Sequence, residues 1–134
     1  MKFNTINVDV NNSVATVTLN RPHVRNAMNI LMMTEMTDCF NQLSKQSDIR
    51  IIILRGKGKS FCAGADIQHM KDSGTKSEQY NKSDSHLLAD MYYAVDHCTK
   101  PIIGIVQGHA FGGGFGLCNV CDITIADENT IFAL

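Results

Sequence analysis

The chain has 134 residues, 44% of them hydrophobic and 19% charged, with ten Gly and two Pro. That is the balance of one ordinary globular domain with a real core. Twelve basic and thirteen acidic residues leave a net charge of −1, with no block of like charge anywhere, so nucleic acid and an anionic membrane surface are poor partners.

A polyanionic small ligand stays compatible with this surface, because it needs a few local donors rather than a global field. The opening MKFNTINVDV lacks a long apolar stretch and already alternates like a strand. Neither a signal peptide nor a transmembrane run is expected. The five cysteines (Cys39, Cys62, Cys98, Cys118, Cys121) are scattered and odd in number. They predict free buried thiols and a reducing, cytoplasmic location.

Along the chain, Ile6, Val8 and Val10 alternate with polar residues, and so do Ala15, Val17 and Leu19, with Asn11-Asn12 between. Residues 3–19 therefore read as a β-hairpin with one buried face. Arg21-Pro22 ends the second strand, and Asn29 is placed to cap a helix over about residues 30–46. Met33, Met36, Phe40 and Leu43 recur at helical spacing, a core stripe rather than a cofactor box. Ile51-Ile52-Ile53-Leu54 is a continuous apolar run closed by Arg55-Gly56, the look of a parallel strand buried on both faces.

Lys57 to Ala65 form a loop, and the polar residues 72–85 read as a mobile surface loop leading into a helix. Leu88, Met91, Tyr92, Val95 and Cys98 make that helix's apolar stripe, which Lys100-Pro101 ends. Ile102 to Val106 form the next buried strand and Gly108 turns the chain. A helix begins within Gly112–Gly114 and runs to about Cys121, followed by a strand from Ile123 to Ala126 and a turn at 127–129. The order β-β-α-β-(loop)-α-β-α-β makes this an α/β protein.

Two loops carry most of the chemical interest. Ser60-Phe61-Cys62-Ala63-Gly64-Ala65-Asp66-Ile67 follows one buried strand; Gly108 to Gly116, with Gly112-Gly113-Gly114 at its centre, follows the next. Both set small residues between a strand's C-terminal end and a helix start, the edge where α/β sheets bind ligands. Unpartnered N–H groups there point at the ligand, and two converging on one point make an oxyanion hole. Glycine-permitted turns and tight helix–strand packing explain the same residues, and both readings stand.

Other chemistries fit less well. Neither loop is a G-x-x-x-x-G-K-[ST] phosphate loop, and no serine sits in a G-x-S-x-G elbow. Cys118-x-x-Cys121 has no second Cys or His pair at ligand spacing, so no metal is expected. His69, His86 and His97 read as surface residues; His109 reads as loop packing, with a polar ligand contact as the competing role.

The residues resemble the enoyl-CoA hydratase/isomerase (crotonase) superfamily. Leu19-Asn20-Arg21-Pro22 with Asn26-Ala27-Met28 is similar to that family's opening motif, and Phe61 to Ile67 to its A-G-A-D-[IL] loop. Lys100-Pro101-Ile102-Ile103-Gly104, the three glycines and Cys121-Asp122-Ile123 complete the series over about residues 14–133.

The resemblance implies a spiral of ββα units and an acyl-CoA thioester ligand, with coenzyme A as part of the substrate and no separate cofactor. It implies an oxyanion hole from the N–H groups of Ala65 and Gly113. Substrate contacts would come from Ala63, Gly64, Ala65, Asp66, Ile67, Gly112, Gly113 and Gly116, with Ala63 meeting the adenine end through its backbone. Arg25 would meet a CoA phosphate, a plain surface arginine being the competing reading. A homotrimer, or a hexamer of paired trimers, is implied as well.

Two departures qualify the match. Many family hydratases carry Glu where this chain has Gly116, and glycine transfers no proton. The second family glutamate normally lies just past a segment like Ile131 to Leu134. Family members also run to about twice this length, so residues 1–134 read as the N-terminal part of an acyl-CoA-binding domain that lacks its C-terminal helical part. The expected function is hydration of a 2-enoyl-CoA, using a glutamate beyond Leu134, with little activity in the 134-residue chain itself. Phe115-Gly116-Leu117 is closer to the methylglutaconyl-CoA and γ-carboxygeranoyl-CoA hydratases. Double-bond isomerisation and a non-catalytic acyl-CoA-binding subunit are the alternatives.

Overall fold

The computed structural model describes all residues, 1–134. Strands β1 (Ile6–Asn11) and β2 (Val14–Leu19) form the expected antiparallel hairpin, with Val8 opposite Val17. Asn12 and Ser13 turn it at positive φ. Helix α1 (Ile30–Lys45) follows, capped by the Asn29 side chain, which accepts from the Met32 N–H at 3.0 Å. Its apolar face (Met32, Met33, Met36, Cys39, Phe40 and Leu43) is buried.

Strands β3 (Ile51–Gly56), β4 (Ile102–Val106) and β6 (Ile123–Ala126) extend the sheet in the order β1-β2-β3-β4-β6. Every pairing from β2 onward is parallel. Ala15, Val17, Leu19, Ile52, Leu54, Ile102 and Val106 lie on the buried face. The opposite face stays open: Ile51, Ile53 and Ile103 are half-buried, and Arg55 and Ile105 are exposed. The expectation of burial on both faces is corrected here, because the helices that join these strands cover one side.

In chain order, a second set of shorter pairings comes between the long strands and the helices. Met28 bridges to Ala65, Cys62 bridges to Ala110, and β5 (His109–Phe111) pairs with β7 (Ile131–Ala133), all parallel. Each turn of chain thus reads long strand, short strand, helix. Helix α1 starts just after Met28, α2 (Ile67–Gly74) after Ala65, and α4 (Gly113–Val120) after Phe111. This is the spiral of ββα units, seen three times.

The segment 72–85, expected as a mobile surface loop, is instead the end of α2 and the start of α3 (Glu78–Asp96). The chain there is polar and carries few strong helix formers, and two caps hold it. Asp66 Oδ1 accepts from the N–H of Gln68 at 2.9 Å and of His69 at 3.2 Å. Ser77 Oγ accepts from the Tyr80 N–H at 3.2 Å. Met91, Ala94 and Val95 of α3 are buried, Leu88 and Tyr92 partly so, and Cys98 falls beyond the helix end.

Candidate active site

The motif residues first build a scaffold. Asn26 is fully buried at φ 56, a left-handed position that asparagine tolerates. Its Nδ2 donates to the carbonyls of Lys57 and Ser60, both at 2.9 Å, and of Phe61 at 3.2 Å. Its Oδ1 accepts from the Arg21 N–H at 2.8 Å. One side chain thereby ties the 21–26 turn to the 57–61 loop. Arg21 Nη1 then reaches Asp66 Oδ2 at 2.8 Å, with both side chains mostly buried.

Parallel backbone bonds align the two halves of the site. Ala63 N–H donates to Arg25 O at 2.9 Å, Met28 N–H to Gly64 O at 2.7 Å, and Asp66 N–H to Met28 O at 2.9 Å. The alternation skips Ala65, whose N–H makes no hydrogen bond. Gly113 is the first residue of α4, and its N–H likewise has no acceptor.

Gly64 brings the two loops together. At φ +90, a Cβ there would lie 2.7 Å from Phe111 O and 3.6 Å from Gly113 N. Only glycine allows that approach.

Ala65 and Gly113 line one cavity of about 200 Å³, with Met28, Met33 and Leu88 as apolar walls and His69, Asp84 and Ser85 as its polar side. On the other side of Ala65 lies a cavity of about 560 Å³, lined by Arg25, Ala63, Asp66 and Ile67 among others. One backbone position therefore borders both an inner apolar pocket and an outer, roomier one. The unpartnered N–H groups of Ala65 and Gly113 belong to residues that line the same inner cavity.

Residues 9–134 match the family model described as Enoyl-CoA hydratase/isomerase. The chain belongs to that family.

Among relatives in the family, the mitochondrial Delta(3,5)-Delta(2,4)-dienoyl-CoA isomerase of Homo sapiens is 34% identical over 127 residues, which cover 89% of this chain and 39% of the relative. Enoyl-CoA hydratase ACTT6 of Alternaria alternata is 37% identical over 120 residues, or 88% of this chain and 38% of the relative. The crystal structure of an enoyl-CoA hydratase from Shewanella pealeana superposes with a TM-score of 0.94 at 33% identity, covering 98% of this chain and 49% of that one. The chain thus spans about two fifths of the curated relatives it matches and about half of the solved structures. The α/β fold of ββα turns, expected from the resemblance, is the crotonase fold of these enoyl-CoA hydratases.

Within this family frame, the expected site residues divide. Ala65 and Gly113 meet at the inner cavity; Arg25, Ala63, Ala65, Asp66 and Ile67 meet at the outer one. Ala63 has only its carbonyl left for a ligand, its N–H being taken by Arg25. The Asp66 carboxylate is engaged by Arg21 and by the α2 N-terminus. Burial pushes that carboxyl up, but the bonds from Arg21, His69 and Gln68 outweigh it and leave it below its ordinary value of 3.8.

Gly64, Gly112 and Gly116 line neither cavity. The space a side chain would take at Gly116 belongs to Tyr92: a Cβ there would lie 2.6 Å from the Tyr92 hydroxyl and 2.9 Å from its ring. Burial pushes that phenol up to about 12, so it stays protonated and donates to Gly113 O at 2.8 Å.

Two readings of the sequence need correction or completion. His69, expected at the surface, is only 17% exposed and pairs its Nε2 with Asp84 Oδ2 at 2.8 Å. Nothing local in the sequence joins it to an aspartate on the next helix. His109 packs in β5 against Phe111, with its Nδ1 3.3 Å from Ser60 Oγ. The Cys118 and Cys121 thiols donate to Gly114 O and Leu117 O, and burial pushes them up to about 11 and about 12. They are neutral structural groups.

Proposed function

We propose that this chain forms the thioester-holding part of an acyl-CoA enzyme that hydrates a 2-enoyl-CoA, an N-terminal part of the acyl-CoA-binding domain. The carrying observation is the pair of unpartnered N–H groups, Ala65 and Gly113, on one apolar cavity. Charge moves onto the thioester oxygen as the double bond is attacked, and fixed donors stabilise it without reorganising. The outer cavity beside Arg25, Ala63 and Ile67 takes the CoA portion, with Arg25 as its phosphate contact.

A second reading, movement of the double bond, is favoured by Tyr92 filling the space at Gly116. No carboxylate can act from that position, and a double-bond shift needs only one proton-transfer group. Assembly as a homotrimer or hexamer and a cytoplasmic location belong to the same proposal. The second is supported by five unpaired thiols.

The test is Ala65→Pro. It removes an N–H that the fold does not use. Hydration of crotonyl-CoA, followed by loss of the enoyl-thioester absorbance, is expected to fall roughly 10²–10³-fold, with the melting temperature nearly unchanged. Full activity in this variant would rule out the oxyanion role.

A further inference from the structure

Three consecutive glycines, Gly112-Gly113-Gly114, lead into α4, and that much backbone freedom leaves the direction of the Gly113 N–H unset by local preference. Gly112 takes φ 49 and ψ −116, and a Cβ added to it would meet nothing within 4 Å, so packing does not hold it. Two backbone bonds tie it instead. Its N–H donates to Ala133 O at 2.8 Å, and its carbonyl accepts from the Gly116 N–H at 3.1 Å. Gly113 itself is held by side chains. A Cβ there would collide with Met28 Cε and lie 3.0 Å from the Tyr92 hydroxyl, so the residue is wedged between the two. The same hydroxyl donates to Gly113 O at 2.8 Å.

Tyr92 reaches this point from behind. It sits on α3, partly buried, and is not one of the residues lining the inner cavity, so it acts on the site only through Gly113. Its ring also fills the space beside Gly116, and burial keeps the phenol protonated, hence a donor, at ordinary pH. The two N–H groups are therefore fixed by different means. Ala65 lies in a run of backbone pairings, Met28 N–H to Gly64 O and Asp66 N–H to Met28 O; Gly113 depends on a side chain from another helix. We propose that Tyr92 is a positioning residue of this site, its hydroxyl holding the first turn of α4 so that the Gly113 N–H stays aimed at the thioester oxygen; the inference rests on the acyl-CoA reading above. An oxyanion hole works because its donors are aimed before charge develops. A donor that must first be ordered loses that advantage.

The test binds crotonyl-CoA, isotopically labelled at its thioester carbonyl, to the 134-residue chain. Infrared difference spectroscopy reads the carbonyl stretch and calorimetry reads the affinity. Wild type is expected to lower the stretching frequency relative to the free thioester. Tyr92→Phe keeps the ring and deletes only the hydroxyl. It is expected to hold affinity within about threefold while losing about half of that shift, the part due to the Gly113 donor. Gly116→Ala leaves the phenol chemically intact but sets a Cβ 2.6 Å from its oxygen, and is expected to lose shift to the same extent. Tyr93→Phe changes an exposed phenol on the same helix, stacked on His97, and is expected to alter neither reading. A bond that served stability alone would lower the melting temperature in Tyr92→Phe and leave the frequency of bound thioester where it was.

An unchanged frequency in Tyr92→Phe overturns the proposal. Should that variant not fold, Gly116→Ala decides by the same reading, and loss of folding in both makes the bond a structural one and overturns the proposal as well. Each of these leaves the acyl-CoA reading standing. Binding by wild type with no shift removes the donor pair together with this proposal and leaves acyl-CoA binding alone. Absence of any acyl-CoA binding by the wild-type chain removes both.

Discussion

At the scale of single residues, the family motifs turn out to be mostly structural. Asn26 supplies donors to three loop carbonyls and an acceptor to one N–H. Its replacement by alanine leaves buried polar groups unmatched, each of which costs about 1–3 kcal/mol. Asn26→Ala is expected to destabilise the chain by about 3 kcal/mol, measured by urea denaturation. That is a large share of a typical stability.

Asp66 makes a separate prediction about pH. Its folded carboxyl is held below the ordinary 3.8. The stability it contributes is therefore complete above the unfolded value and lost as pH falls through the folded one. Wild type is expected to lose more stability than Asp66→Asn as pH drops below about 4, read as melting temperature across an acid titration. Gly116 and Tyr92 form a matched pair at this scale as well. A side chain at position 116 requires the tyrosine ring to shift.

At the scale of elements, the polar stretch at 66–85 shows how much a cap can decide. Ser77 is an exposed N-cap whose hydroxyl holds the first turn of α3. Ser77→Ala is expected to cost about 0.5–1 kcal/mol, seen as faster amide exchange over residues 78–81, with the β2–β3–β4 amides unchanged.

The hairpin, α1 with its Asn29 cap, and the strands at 51–56, 102–106 and 123–126 were all legible, because each carries a clear period or a long apolar run. Segment 72–85 was not, since low apolar content hides a helix whose buried face begins only near Leu88. The three-residue strands β5 and β7 are too short to show a period and find their partners in each other. For the site, the small residues at 64–65 and 112–114 could be read because backbone chemistry is encoded locally. The pairing of His69 with Asp84 depends on how α2 folds against α3, and of Gly116 with Tyr92 on how α3 meets α4. Neither has a spacing signature.

At the scale of the whole molecule, β6 closes one side of the sheet as an unpaired edge, with Ile123 and Ile125 more than half exposed. Phe132 and Leu134 are exposed close by in sequence. Apolar edges of this kind associate. The double variant Ile123→Thr, Ile125→Thr is expected to reduce concentration-dependent association of the 134-residue chain, measured by sedimentation velocity.

The strand order has a consequence in time as well as in space. Because β1, β2, β3, β4 and β6 lie side by side in the order in which they are made, a ribosome delivers each strand to the edge left by the previous one. No strand has to insert between two that are already paired. At every stage of synthesis one edge of the sheet is β1 and the other is the strand just made, where the next one pairs.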